Sequence, residues 1–216
     1  MRKFRPLKRA VEKRPPKKKF VIFTEGQNTE PSYFRELKRF LSGTLIDVEI
    51  VEAAGVPLTI AKKACALAKS MSSRSARRSS FGQEDKVWAV FDRDEHPGVD
   101  DAKQQCANAN VGVGFSDPCF EIWLILHYSD FDRPDGRHEV QKHFENICPG
   151  YDRNGRKTAN CEALMPLIEV AEKRAMLQLS RRIEEGGLQA PFTTVGELTK
   201  ELREASAASE AYSNNF

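Results

Sequence analysis

Three acidic residues stand where apolar runs stop. Val87-Trp88-Ala89-Val90-Phe91 leads directly into Asp92-Arg93-Asp94, and Phe20-Val21-Ile22-Phe23 leads into Thr24-Glu25-Gly26. In an extended segment, residues two apart point the same way. Asp92 and Asp94 can therefore face one ion, with Arg93 turned to the other side. Carboxylate oxygens are hard ligands suited to Mg²⁺ or Mn²⁺, and Mg²⁺ often takes only one or two carboxylates beside waters and substrate oxygens. Such an ion orients a phosphate and offsets the charge that develops on a leaving oxygen. Glu25 is expected across from the pair, as general base or acid or as a further ligand. The bland alternative is that these acids are helix caps or solvated charges. Three acids at two strand ends, with Gly26 in the first turn, favour a site.

A second tier of candidates surrounds these three. Glu121 lies in the first turn of an otherwise apolar segment, Asp117-Pro118-Cys119-Phe120-Glu121-Ile122-Trp123. A buried carboxylate there needs partners or a metal, although an acid at a helix start also suits the helix dipole. Glu30 has the same ambiguity at its own helix start. Lys157, after a glycine-containing turn, is placed to meet a phosphate or to remain a plain surface lysine. The four histidines form no zinc-type pair on a helix face. His127, six residues from Glu121 and so on a different helix face, reads as structural or exposed. The five cysteines show no Cys-x-x-Cys spacing and no disulfide framework.

The elements that must position these residues follow from periodicity. Phe20–Phe23 and Lys86–Asp92 are continuous apolar runs, expected as buried strands. Leu45–Val51 alternates apolar and acidic residues, as an edge strand would. Val111–Phe115 is a short strand whose glycines imply close approach by a neighbour. Helices are expected from Thr29, with Tyr33, Phe34, Leu37 and Leu41 inward, from Pro57 to about Lys69, over Asp100–Asn110, and from Cys119 to about Tyr128, with Asp117 as N-cap and Pro118 in the first turn. Beyond Asp130 the pattern is helical: about Val140–Ile147, about Ala163–Glu185, and a last helix to about Ala205. Thr194-Val195-Gly196-Glu197 reads as the capping box of that last helix. The alternation over 19–128 predicts an α/β fold, a mostly parallel sheet flanked by helices. The helical extension over 129–205 packs on that core, and 206–216 is a frayed tail.

Charge is uneven along the chain. The net charge is +3, yet residues 1–19 carry ten Lys or Arg against Glu12. Residues 1–18 read as a basic flexible arm in which Arg9, Arg14, Lys17 and Lys18 add sequence-independent affinity for nucleic acid. Residues 70–83, rich in Ser and Arg, read as a surface loop. No apolar stretch is long enough for a membrane span, and no secretory signal core is present. A cytoplasmic protein without a membrane partner is expected.

Three ordered motifs carry a resemblance. Phe-Thr-Glu-Gly-x-x-Thr-Glu-Pro-x-Tyr-Phe (23–34), Val-Phe-Asp-Arg-Asp-x-His (90–96) and Ser-Asp-Pro-Cys-Phe-Glu-Ile-Trp-Leu (116–124) resemble the RloB-like proteins of prokaryotes. Those proteins look like compact members of the Toprim superfamily of topoisomerase, primase and nuclease catalytic domains. The resemblance implies a catalytic glutamate after the first strand and an Asp-x-Asp after a later one, which fall on Glu25, Asp92 and Asp94. It also implies a role in restriction-linked or anti-phage defence, sometimes beside an ATPase. The chain has no Gly-x-x-x-x-Gly-Lys-[Ser/Thr] loop, so that ATPase partner would be a separate protein. It also lacks the additional domains of a topoisomerase or primase, which favours a nuclease, or a nuclease-like module that needs activation. Two other readings stay open. One is a phosphatase with Asp92 as nucleophile and Asp94 as acid; the other is a non-catalytic nucleic-acid-binding or sensor module.

Overall fold

The computed structural model describes residues 18–41, 46–52, 55–72, 85–93 and 98–213. The strands are β1 (Lys18–Thr24), β2 (Ile46–Val51), β3 (Lys86–Asp92), β4 (Gly112–Asp117) and β5 (Phe192–Thr193). The helices are α1 (Thr29–Phe40), α2 (Pro57–Met71), α3 (Val99–Asn108), α4 (Glu121–Tyr128), α5 (Arg137–Ile147), α6 (Ile168–Glu184) and α7 (Val195–Ser213). A 3-10 segment, Glu162–Leu167, leads into α6.

The five strands form one sheet in the order β2-β1-β3-β4-β5. The first four are parallel and β5 is antiparallel to β4. This is the expected α/β architecture. From β1 the chain winds outward to β2 and then returns to the other side of β1 as β3. The direction of winding therefore reverses between β1 and β3. In open α/β sheets such a reversal leaves a crevice at the carboxyl ends of the strands. Thr24 sits opposite Val90 there, and the Glu25 N–H extends the ladder by donating to the Val90 carbonyl at 3.2 Å.

Period-two alternation sorts the central strands into two layers. Val21, Phe23, Val87, Ala89 and Phe91 pack with α2 and α3. Phe20, Ile22, Trp88 and Val90 pack with α1, α4 and the helices that follow. Asp92 continues the Trp88–Val90 parity and so faces the second layer. Arg93 has the other parity, as expected. Its guanidinium pairs with Asp117 at 2.5 Å and lies 5.7 Å from the Phe115 ring, on the first layer.

The second layer is pinned by aromatic packing. Tyr33 of α1 meets Phe120 at 5.8 Å and Trp123 of α4 at 6.0 Å between ring centroids, edge to face. All three rings are buried, and each contributes about 2–3 kcal/mol by leaving water. His127 belongs to this cluster: it bonds the Tyr33 hydroxyl at 3.1 Å and the Trp123 carbonyl at 2.9 Å. Burial pushes its imidazole down to about 4, so it is neutral and structural. On β4, a side chain at Gly112 would fall 2.4 Å from the Trp88 ring, which is the close approach that the glycines announce.

Several boundaries differ from the sequence expectation. Asp117 ends β4, paired with Phe192, instead of capping a helix, and the apolar helix starts at Glu121 rather than Cys119. Pro166 lies inside the 3-10 segment, and the long helix begins after it, at Ile168. Thr194 does not form a capping box. Its hydroxyl instead accepts from the Phe115 N–H and donates to the Val113 carbonyl, stitching the start of α7 to β4. The sheet also recruits Phe192 and Thr193 as a fifth strand, so the helical extension shares the sheet. Helix α7 continues through Ser213, into the stretch expected to fray. Among the described residues no helix is long and apolar enough to cross a membrane.

Candidate functional site

A pocket of about 180 Å³ opens at the carboxyl ends of β1 and β3. Glu25, Glu30, Asp92 and Glu121 line it, with Arg137, Gln141 and Lys157. Each carboxyl arrives by a different route. Glu25 is the residue after β1, and Asp92 is the last of β3. Glu30 lies three, four and seven residues before Tyr33, Phe34 and Leu37, on the same buried face of α1. Glu121 opens α4, which is apolar on every side, so its position in the first turn buries it.

The contacts made by these acids differ. Glu25 Oε2 accepts from the Asp92 N–H at 3.2 Å, and so fixes the end of β3 against the end of β1. Glu30 Oε1 accepts from the Gly26 N–H at 3.3 Å. A Cβ on Gly26 would collide with the Glu30 carboxylate, so a larger residue there would push that carboxylate aside. Glu121 Oε1 accepts from the Tyr151 hydroxyl and from Gln141 Nε2. Asp92 is the least satisfied. It is buried, its Oδ1 has no hydrogen-bond partner among the described residues, and its Oδ2 lies 3.8 Å from Arg137 Nη2.

Crowding of acids in a buried pocket disfavours their charged forms. Burial raises the Asp92 carboxyl well above the usual range. The negative charges of Glu30 and Glu121 raise it further, and Arg137 opposes them. Burial likewise pushes Glu30 up to about 7, against the N–H groups that bond it. The nearby Cys119 thiol is raised by burial and then by Glu121 and Asp92. A pocket with this electrostatics takes up positive charge, either as protons or as a cation.

The donor set fits one hard cation. Among the described residues no three His, Cys, Asp or Glu side chains converge tightly enough to hold a metal ion by themselves. A cation that uses one or two carboxylates and completes its shell with water and phosphate oxygens needs no such trio. The unpartnered Oδ1 of Asp92 is the atom best placed to receive it.

The sequence matches the RloB-like protein family over residues 20–202. The chain belongs to the RloB-like family. No curated protein and no solved structure matches it. The match to the RloB-like family runs from β1 into α7, so it includes every element that lines the pocket.

The structure brings together Glu25, Asp92, Glu30, Glu121 and Lys157 from the sequence candidates. Asp94 and the arm residues Arg9, Arg14 and Lys17 lie outside the described residues. Lys18 belongs to β1 rather than to the arm; its Nζ pairs with Glu201 at 3.3 Å and lies 4.9 Å from the Phe20 ring centre. Lys157 adopts a left-handed backbone, φ 50°, and its carbonyl accepts from the Thr29 hydroxyl at 2.8 Å, tying the loop to the start of α1. Sequence reasoning missed Arg137, Gln141 and Tyr151. For Arg137 and Gln141 a signal existed: they are four apart and share a helix face with the buried Phe144. For Tyr151, in a loop, none did.

Proposed function

We propose that this RloB-like chain is a divalent-cation-dependent nuclease of Toprim type that cuts nucleic-acid phosphodiesters in restriction-linked or anti-phage defence. The observation that carries this reading is the buried, unpartnered Oδ1 of Asp92, at the reversal of the sheet and among three further carboxyls. The three motifs of the sequence support it, since two of them supply Glu25 and Asp92.

A bound Mg²⁺ or Mn²⁺ would supply Lewis-acid polarisation of the phosphate. Asp92 would be its principal protein ligand, with Asp94 as the second carboxylate that the Asp-x-Asp motif supplies. Glu121 is held towards the pocket by Tyr151 and Gln141. Glu25 keeps the two strand ends in register through the Asp92 N–H. Lys157 offers a cation at the pocket wall, and Arg9, Arg14 and Lys17 add affinity for the polymer backbone. A separate ATPase would act as partner.

The test is cleavage of single- and double-stranded DNA and RNA by the full chain, with and without such an ATPase, in Mn²⁺. Asp92→Asn is expected to abolish cutting while circular dichroism stays native. Equal cutting by wild type and Asp92→Asn overturns the proposal. A crystal soaked in Mn²⁺ is expected to place the ion within about 2.2 Å of an Asp92 oxygen.

A further inference from the structure

We propose that Arg93 and Lys103 form a second phosphate site, which holds the phosphate next to the scissile one on the substrate strand. This rests on the reading of the strand-end pocket as a cation-dependent nuclease site. It adds a contact on the other face of the sheet from the four carboxyls.

Two cations converge there. Arg93 follows Asp92 at the carboxyl end of β3, and its N–H donates to the Ser116 carbonyl of β4 at 2.8 Å. Its side chain has the opposite parity to Asp92 and leaves on the layer of α2 and α3. Lys103 reaches the same place from the second turn of α3. Both approach one ring: Lys103 Nζ lies 3.3 Å from the Phe115 ring centre, and the Arg93 guanidinium carbon lies 5.7 Å from it. Phe115 is buried and packs on Phe91 and Phe192, at 5.9 Å and 5.6 Å between ring centroids. A ring fixed in this way fixes the ammonium that rests on it.

The two charges are unevenly met. Asp117 accepts from Arg93 Nε at 2.5 Å and is buried, while the Arg93 side chain is 47% exposed. Lys103 is half-buried, yet among the described residues its ammonium has no hydrogen bond or ion pair, only the Phe115 face. Burial lowers the Lys103 pKa and the Arg93 charge lowers it further, against Asp100 and Asp117. A half-buried ammonium beside a second cation is costly until an anion reaches both. Guanidinium N–H groups on one side and a compact ammonium on the other suit the oxygens of a phosphodiester.

Position says which phosphate this is. Asp92 and Arg93 are consecutive and point to opposite faces, so the two sites flank the end of one strand. A nucleic-acid strand that crosses this edge with its scissile phosphate at Asp92 carries its next phosphate to Arg93 and Lys103.

The test uses the full chain with fluorescein-labelled DNA and RNA oligonucleotides, read by anisotropy in Ca²⁺ across a salt series. Lys103→Met keeps the stem over Phe115 and removes the charge. It is expected to bind about tenfold more weakly, with a salt slope shallower by about one, the signature of one lost phosphate contact. A merely structural lysine would leave that slope unchanged. Probes with a neutral methylphosphonate at single positions locate the contact. In wild type, a position beside the scissile phosphate is expected to cost about tenfold, and in Lys103→Met the same position is expected to cost nothing further. Arg93→Met is expected to repeat this pattern; should it fail to fold, Lys103→Met carries the test. Cleavage that requires Asp92, with an unchanged salt slope in Lys103→Met, overturns this inference and leaves the reading of the site intact. So does a methylphosphonate cost that is the same in wild type and variant. Wild type that binds neither probe, or Asp92→Asn that cuts as well as wild type, overturns the reading of the site, and this inference with it.

Discussion

Two concavities of this molecule treat their acids in opposite ways. The larger, about 460 Å³, lies between α6 and α7 and includes Glu169, Glu172 and Arg203. There Arg203 grips Glu172 with two nitrogens and reaches Glu169 at 3.1 Å, while the Thr199 hydroxyl donates to Glu172 at 3.1 Å. In the smaller pocket, at the strand ends, a phenol and an amide donate to Glu121, backbone N–H groups donate to Glu30 and Glu25, and Asp92 Oδ1 has no hydrogen-bond donor among the described residues. Arg137 Nη2 lies 3.8 Å from Asp92 Oδ2. Size is therefore a poor guide to chemistry here. The unmet charge is the better one, because a buried acid without a close counter-ion is costly unless something else is meant to neutralise it.

The largest expected effect tests that contrast directly. Asp92→Asn should lower Mn²⁺-dependent cleavage by about a thousandfold, the scale of losing a main electrostatic group at a phosphoryl centre. In EDTA the same variant should unfold at a higher temperature than wild type, since it removes an acid from a crowded pocket; differential scanning fluorimetry reads this. A lower melting temperature in EDTA would mean that the Asp92 charge is already well met, and the contrast would break.

His127 offers a third way for a polar group to tolerate burial, by giving up its proton. With the folded imidazole lowered to about 4 from an ordinary 6.5, the unfolded state binds more protons between these values. Stability is therefore full above about pH 6.5 and falls towards pH 4, by roughly 3 kcal/mol for this group. Urea titrations of wild type and His127→Gln across that window should show this difference in slope. Parallel curves would refute it.

Two smaller effects sharpen the comparison. Tyr151→Phe removes a donor to Glu121 but keeps the ring against Phe144, 4.7 Å away, so cleavage should fall about tenfold with little change in stability. Glu172→Gln, in the larger groove, should do the reverse: stability lower by about 1 kcal/mol in denaturant, with cleavage unchanged. Loss of cleavage in Glu172→Gln would show that the two concavities are coupled.

Much of this was legible in the sequence. Continuous apolar runs announced β1 and β3, and strand parity separated Asp92 from Arg93. Glu121 was flagged because an acid inside an all-apolar helix demands partners, and it has them. What stayed hidden depends on contacts across long chain separations. Arg137, Gln141 and Tyr151 reach the pocket only because α5 and the loop after it fold back over α4. Two residues, Phe192 and Thr193, are too short a run to announce a strand, and only the free edge of β4 makes them one. Thr194 looked like a cap by local spacing, but β4 offered its hydroxyl both a donor and an acceptor. Asp117 looked like a helix start because it precedes a proline, yet the strand claimed it.

The hydrogen bond from Thr29 to the Lys157 carbonyl spans 128 positions of the chain. It closes a ring of contacts that starts at Glu25 and finishes beyond Tyr151. During synthesis, the ribosome must therefore release the chain through Lys157 before a finished pocket can exist. A fragment terminated before Tyr151 carries the strand-end acids without the Tyr151 hydroxyl that bonds Glu121.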